Sequence, residues 1–216
     1  MKLNVKLGVA LLAVAMMGCE SAYYNTMENF GVHKRDILVD RVVDARDAQQ
    51  DAQEQFTSAL DEFKAVVSID GGKLEKAYNR LNNEYEASEE SADLIRERIS
   101  SIESVAGALF KEWEAELKQY SSASLKRESQ SQLSATRSKY RQLLSVMRNA
   151  ESRLTPVLNS MRDQVLYLKH NLNARAIQSL KGEVVTINRD VDNLLAAMEK
   201  AIAEADDFIR EMKVGS

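Results

Sequence analysis

Between Leu74 and Tyr120 apolar side chains recur every three or four residues, with no proline to interrupt them. The series runs Leu74, Tyr78, Leu81, Tyr85, Ser88, Ala92, Ile95, Ile99, Ile102, Ala106, Leu109, Trp113, Glu116, Tyr120. Only Ser88 and Glu116 break it, Leu117 sits beside the second, and Gly107 is its one helix-weakening residue. A 3.5-residue repeat sustained this long describes a helix that buries one stripe against other helices in coiled-coil fashion. At 1.5 Å per residue the element is roughly 70 Å long, so the chain reads as a rod. Composition agrees: 216 residues include one Pro and eight Gly, and 29% are charged. The punctuation that closes many strands is missing, which makes the chain all-α. A rod of this kind buries a narrow core along its length rather than a deep one able to house a catalytic pocket.

The same spacing organises the rest. A first helix is predicted from about Asp36 to Ser68, with Leu38, Val42, Ala45, Gln49, Ala52, Phe56, Ala59, Phe63 and Val66 as its stripe. Small residues in its middle allow close approach of a neighbour. Asp70-Gly71-Gly72 ends it, because glycine supplies the left-handed conformation that stops a helix. Tyr120 to Ser124 form the next turn, with Ser124 as cap and Leu125 as the first residue of a third helix. The third stripe is Leu133, Thr136, Tyr140, Leu143, Met147, Ala150, Leu154, Val157, Met161, Val165, Leu168 and Leu172. Pro156 lies inside it and removes one helical hydrogen bond, yet the stripe stays in phase, which argues for a kink rather than a break. Asn171-Leu172-Asn173 reads as a third turn capped by Asn173; one continuous helix from Pro156 to the end is the alternative. The last helix, about Ala174 to Met212, carries Ile177, Leu180, Val184, Ile187, Val191, Leu194, Met198, Ala201, Ala205, Phe208 and Met212. Long segments joined by short turns alternate direction. Residues 32–216 are therefore expected to form an elongated antiparallel, coiled-coil-like bundle of three to four long helices, alone or paired with a second copy.

Residues 1–18 read as a secretion signal. Lys2 and Lys6 precede an eleven-residue apolar run, Leu7 to Met17, that is too short to span a bilayer. The run ends in Met16-Met17-Gly18-Cys19, which resembles the lipobox of bacterial lipoproteins: the signal is cut before Cys19, and that cysteine carries lipid. Met17 departs from the small or branched residue usual at its position. Several acyl chains anchor stably, since each buried methylene contributes about 0.8 kcal/mol. Glu20, rather than Asp, follows the cysteine. The resemblance then implies the outer membrane, facing the periplasm, over the inner membrane. Residues 19–31 are a short linker in which Tyr23, Tyr24 and Phe30 either lie among headgroups or cap the bundle.

The chain carries −4 overall, but unevenly. Glu20 to Tyr120 hold 12 basic and 22 acidic residues, Ser121 to Lys181 hold 11 and 3, and the remainder 4 and 8. One basic helix thus lies among acidic ones. Either it pairs with its neighbours and fixes their order, or Arg137, Lys139, Arg141, Arg148, Arg153 and Arg162 form a stripe that contacts an anionic surface such as lipid headgroups. Nucleic acid fits poorly: the chain is acidic and has no nucleic-acid fold signature.

Motifs for chemistry are scarce. His33 and His170 stand far apart, and no Glu-x-x-His motif offers a di-metal site. Gly71-Gly72 alone is a turn and not a phosphate loop. Ser121, Ser122 and Ser124 sit in no nucleophile motif, and capping explains them. Asp44, Asp47 and Asp51 share a helix face without the Gly-centred loop that calcium requires. No cofactor is expected, and no enzymatic activity.

His170, Asn171, Asn173 and Arg175 cluster around an apolar pattern, Asp163 to Ile177. They read as a partner-binding knuckle or as a helix corner whose amides satisfy free backbone groups. Together with His33-Lys34-Arg35-Asp36-Ile37-Leu38-Val39 and Gln119-Tyr120-Ser121-Ser122-Ala123-Ser124-Leu125, this stretch resembles a family of proteobacterial lipoproteins, domain of unknown function 2959. The resemblance spans nearly the whole mature chain. It supports the envelope address and implies no activity, cofactor or catalytic residue. The expectation is a lipid-anchored periplasmic scaffold, spacer or interaction surface that meets a protein partner or itself, with a membrane-gripping module as the alternative.

Overall fold

A computed structural model describes residues 33–68 and 74–214. Four helices make up the described chain: α1 (Lys34–Val66), α2 (Leu74–Glu116), α3 (Ala123–His170) and α4 (Ala174–Val214). No strand occurs among the described residues. Each helix packs along two others, in the cyclic order α1–α2–α3–α4 and back to α1. The fold is therefore an up-down-up-down bundle with one shared core. At its 48 residues α3 is about 70 Å long.

The apolar stripes are the core. All nine expected α1 positions are buried, including Ala45, Ala52 and Ala59, whose lack of bulk lets neighbours close in. In α2 the buried stripe runs from Leu74 through Ile95, Ile99 and Ile102 to Leu109. In α3 it runs from Leu133 through Leu143, Met147 and Leu154 to Leu168, and in α4 from Ile177 through Ile187 and Leu194 to Met212. Ser88 is fully buried and satisfies itself by donating from Oγ to the Glu84 carbonyl at 2.7 Å. Gln49 is also buried, but no protein atom among the described residues bonds either end of its amide.

The boundaries differ from expectation in several places, four of which change how a residue is used. α1 starts two residues early, its first turn closed by the His33 carbonyl, which accepts from Asp36 and Ile37 N–H at 2.9 and 3.1 Å. α2 ends at Glu116, not Tyr120; Glu116 and Tyr120 are exposed and only Leu117 remains on the core. Ser122, not Ser124, caps α3: its Oγ accepts from Leu125 N–H at 3.4 Å and its carbonyl from Lys126 N–H at 3.0 Å. Leu172 lies exposed in the α3–α4 turn, off the α3 stripe. That turn is real, so α3 and α4 are separate helices, whereas α3 runs unbroken through Pro156. The Asp70-Gly71-Gly72 turn lies outside the described residues.

The helices are of unequal reach. Lys34 Nζ pairs with Glu112 at 3.1 Å, Arg35 donates to the Met212 carbonyl at 2.6 Å, and Lys139 pairs with Glu211. These contacts put the start of α1 and the end of α4 level with residues 112 and 139. α3 begins at Ala123, about 20 Å further out, so the α2–α3 hairpin overhangs this end of the bundle. From Lys118 to Gln132 no residue is buried.

Candidate functional site

Arg141, Arg148 and Arg162 are separated by multiples of seven, and Arg137 precedes Arg141 by four. They therefore follow one flank of α3. That flank faces α2, whose acidic residues meet it: Arg137 pairs with Glu114 at 2.7 Å, and Arg148 pairs with Glu103. Arg148 also bonds Glu151 at 2.6 Å. The Glu151 bond, and then the Glu103 bond, raise its pKa against the pull of burial. Arg137 additionally stacks over the Phe110 ring at 5.0 Å, and Phe110 meets Tyr140 edge-on at 5.4 Å. Lys139 lies on the opposite flank and pairs with Glu211 of α4.

Charge complementarity thus accounts for three of the six basic candidates. The other three are exposed, with no carboxylate in ion-pair range among the described residues. Arg141 donates to the Arg137 carbonyl at 3.2 Å, and Arg153 donates to Asn149 Oδ1 at 3.4 Å. Arg162 faces Tyr85 of α2, and its charge favours the ionised phenol. Burial comes first and the hydrogen bond with Glu89 second, and together they win, pushing the Tyr85 pKa up to about 12.

The knuckle residues meet at the far end of the bundle. Asn171 caps α3: its N–H donates to the Leu168 carbonyl at 3.1 Å and its Nδ2 to the Tyr167 carbonyl at 2.9 Å. Asn173 caps α4, its Oδ1 accepting from Ala176 N–H at 3.1 Å. Both amides are consumed by backbone groups that the helix ends leave open. His170 and Arg175 are exposed. Beside them Leu166, Tyr167 and Leu172 stand exposed, which gives this end an apolar surface that the heptad pattern does not reveal.

Other large exposed apolar side chains, Tyr120 and Leu125, sit on the overhanging hairpin, 41% and 55% exposed. They line a shallow open hollow with Glu116, Gln119, Ser121 and Ser122. The overhang is braced by Leu117, Leu133 and the Trp113 indole, which donates to Ser129 Oγ at 2.8 Å. Heptad spacing alone places Tyr120 in the core and makes Leu125 an ordinary helix start. What separates them from the core is the shortness of α1 and α4, which a single stripe does not carry.

Asp44 and Asp47 are held by neighbouring arginines, Arg41 at 3.1 Å and Arg46 at 2.6 Å, and Asp51 is exposed. Among the described residues no three His, Cys, Asp or Glu gather as metal ligands, and no helix is long and apolar enough to cross a membrane. Cys19 and the linker tyrosines lie outside the described residues. No functionally curated protein matches the chain. A family model does, over residues 23–212, from before the first helix to the last turn of α4. The four-helix rod with its basic third helix thus belongs to the family described as protein of unknown function DUF2959.

Proposed function

We propose that the protein is a non-enzymatic periplasmic rod, anchored by lipid on Cys19, that spaces or holds partners at the inner face of the outer membrane. The observation that carries this reading is the bundle's form. Four long helices share one continuous core, and the chain enters it at the end that also carries the hairpin overhang. The Gly18-Cys19 ending of the apolar signal supplies the anchor, and more than one acyl chain gives durable attachment. The far end, with exposed Leu166, Tyr167 and Leu172 beside the caps, is where a partner protein is met. The test is labelled-palmitate incorporation and membrane fractionation of wild type and Cys19→Ser. Wild type takes up label and sediments with outer membranes, and the variant takes up none. Unlabelled, freely soluble wild type refutes the anchor.

A second reading, in which α3 grips anionic lipid side-on, draws on exposed Arg141, Arg153 and Arg162. Its test is flotation of the unlipidated protein with anionic vesicles. Binding lost between low and high salt supports it, and no binding at either counts against it.

A further inference from the structure

We infer that the tip of the α2–α3 hairpin is a foot that rests on an anionic bilayer, with Tyr120 and Leu125 entering the interface. Lys118, Lys126 and Arg127 meet the headgroups. The inference rests on the anchor proposed at Cys19. Alternating helix directions put the tip at the end where the chain enters α1. The tip also overhangs that end by about 20 Å. From Cys19 to His33 the chain spans at most about 50 Å when fully extended. A rod standing on this end therefore keeps its tip within about 30 Å of the lipid surface. Tethering at such range raises the effective concentration to the millimolar scale, so even a weak contact is populated.

The chemistry of the tip suits that surface. A tyrosine presents an apolar ring and a polar hydroxyl, the combination enriched at the membrane–water boundary. Leu125 is more than half exposed in the first turn of α3, with nothing from α1 or α4 above it. Lys118, Lys126 and Arg127 are all exposed around these two side chains and attract anionic headgroups. Glu116 and Glu128 offset part of that attraction, so the contact needs both its apolar and its basic members. At the far end the exposed Leu166, Tyr167 and Leu172 lie beside the Asn171 and Asn173 caps, a rod's length away from the proposed anchor.

The test uses the full lipidated protein in vesicles of phosphatidylethanolamine and phosphatidylglycerol whose acyl chains are brominated. The chain has one tryptophan, so Trp113→Phe combined with Tyr120→Trp places the only reporter on the tip. Trp113→Phe with Leu172→Trp places it at the far end. Bromine is expected to quench the tip reporter at least twofold and to leave the far-end reporter unchanged. Adding Leu125→Ser and Lys126→Glu is expected to restore most of the tip emission. An unquenched tip in vesicle-bound protein overturns the foot alone. Equal quenching at both ends means that the rod lies flat, and overturns it too. A tip signal that follows protein density rather than bromine means that two hairpins meet each other instead of the bilayer, and this also overturns the foot. Protein whose intact mass lacks the acyl groups and which stays out of the vesicles overturns the anchor together with the foot.

Discussion

Gln49 is the one position on the α1 stripe where the rule of apolar burial is broken without compensation. Its side chain is 1% exposed, and neither Nε2 nor Oε1 has a hydrogen-bond partner among the described residues. Each buried, unsatisfied polar group costs about 1–3 kcal/mol. Gln49→Leu removes two such groups and one heavy atom's worth of packing, the latter costing about 1 kcal/mol. The net expectation is a gain of about 1–5 kcal/mol. For a chain of this size each kcal/mol moves Tm by about 2–4 °C, so a mid-range gain of about 3 kcal/mol raises it by roughly 6–12 °C. Thermal and urea unfolding followed by circular dichroism measure the change. Gln49→Ala, run beside it, leaves a cavity and gains less or loses. An unchanged or lowered midpoint for Gln49→Leu would refute this reasoning and show that the amide is bonded in solution. Light scattering adds a second reading. A lone polar residue in a helical seam fixes register and partner number at the expense of stability, so a variant that is more stable but mixed in oligomeric state would identify that role.

Ile99 is fully buried, and Ile99→Asp brings an unpaired charge into the core; a loss of at least about 3 kcal/mol is expected, and an unaltered melting curve would show the seam to be misplaced. Burial and Glu89 raise the Tyr85 pKa from 10 to about 12. Stability from the protonated phenol is thus complete below pH 10 and lost as pH climbs toward 12. Tyr85→Phe should flatten that alkaline limb in denaturation midpoints taken at successive pH values. Gly107 is exposed inside α2, and a Cβ there meets nothing within 4 Å, so Gly107→Ala is expected to stabilise by about 0.5–1 kcal/mol in the same assay. Charge reversal at Arg148 sets like charges against Glu103 and Glu151; Arg148→Glu should lower the midpoint, and Glu103→Lys in the same chain should recover part of it.

The bundle is legible in the chain because burial on a long helix leaves a periodic trace. Ile95, Ile99 and Ile102 mark the core whatever lies opposite, and Asn173 caps α4 as its position before a renewed stripe suggests. Helix ends leave a weaker trace. Ser121, Ser122 and Ser124 are chemically equivalent candidates for the α3 cap, and only the backbone turn chooses Ser122. Tyr120, Leu125 and Leu172 obey or border the heptad rhythm but have no neighbour to bury them, since burial depends on where other helices stop. The basic stripe illustrates the same limit. Seven-residue spacing puts Arg141 and Arg148 on one flank, while the difference between them, one solvated and one clasped by Glu103, belongs to α2.

The chain begins α1 and finishes α4 at the same extremity, and the α3–α4 turn lies at the other. This makes the molecule a periscope. A tag placed after Val214 would report on the end at which the chain enters α1. One grafted between Asn171 and Asn173 would look out from roughly 60 Å away, the length of α4. Two dyes so placed would act as a built-in ruler along the rod.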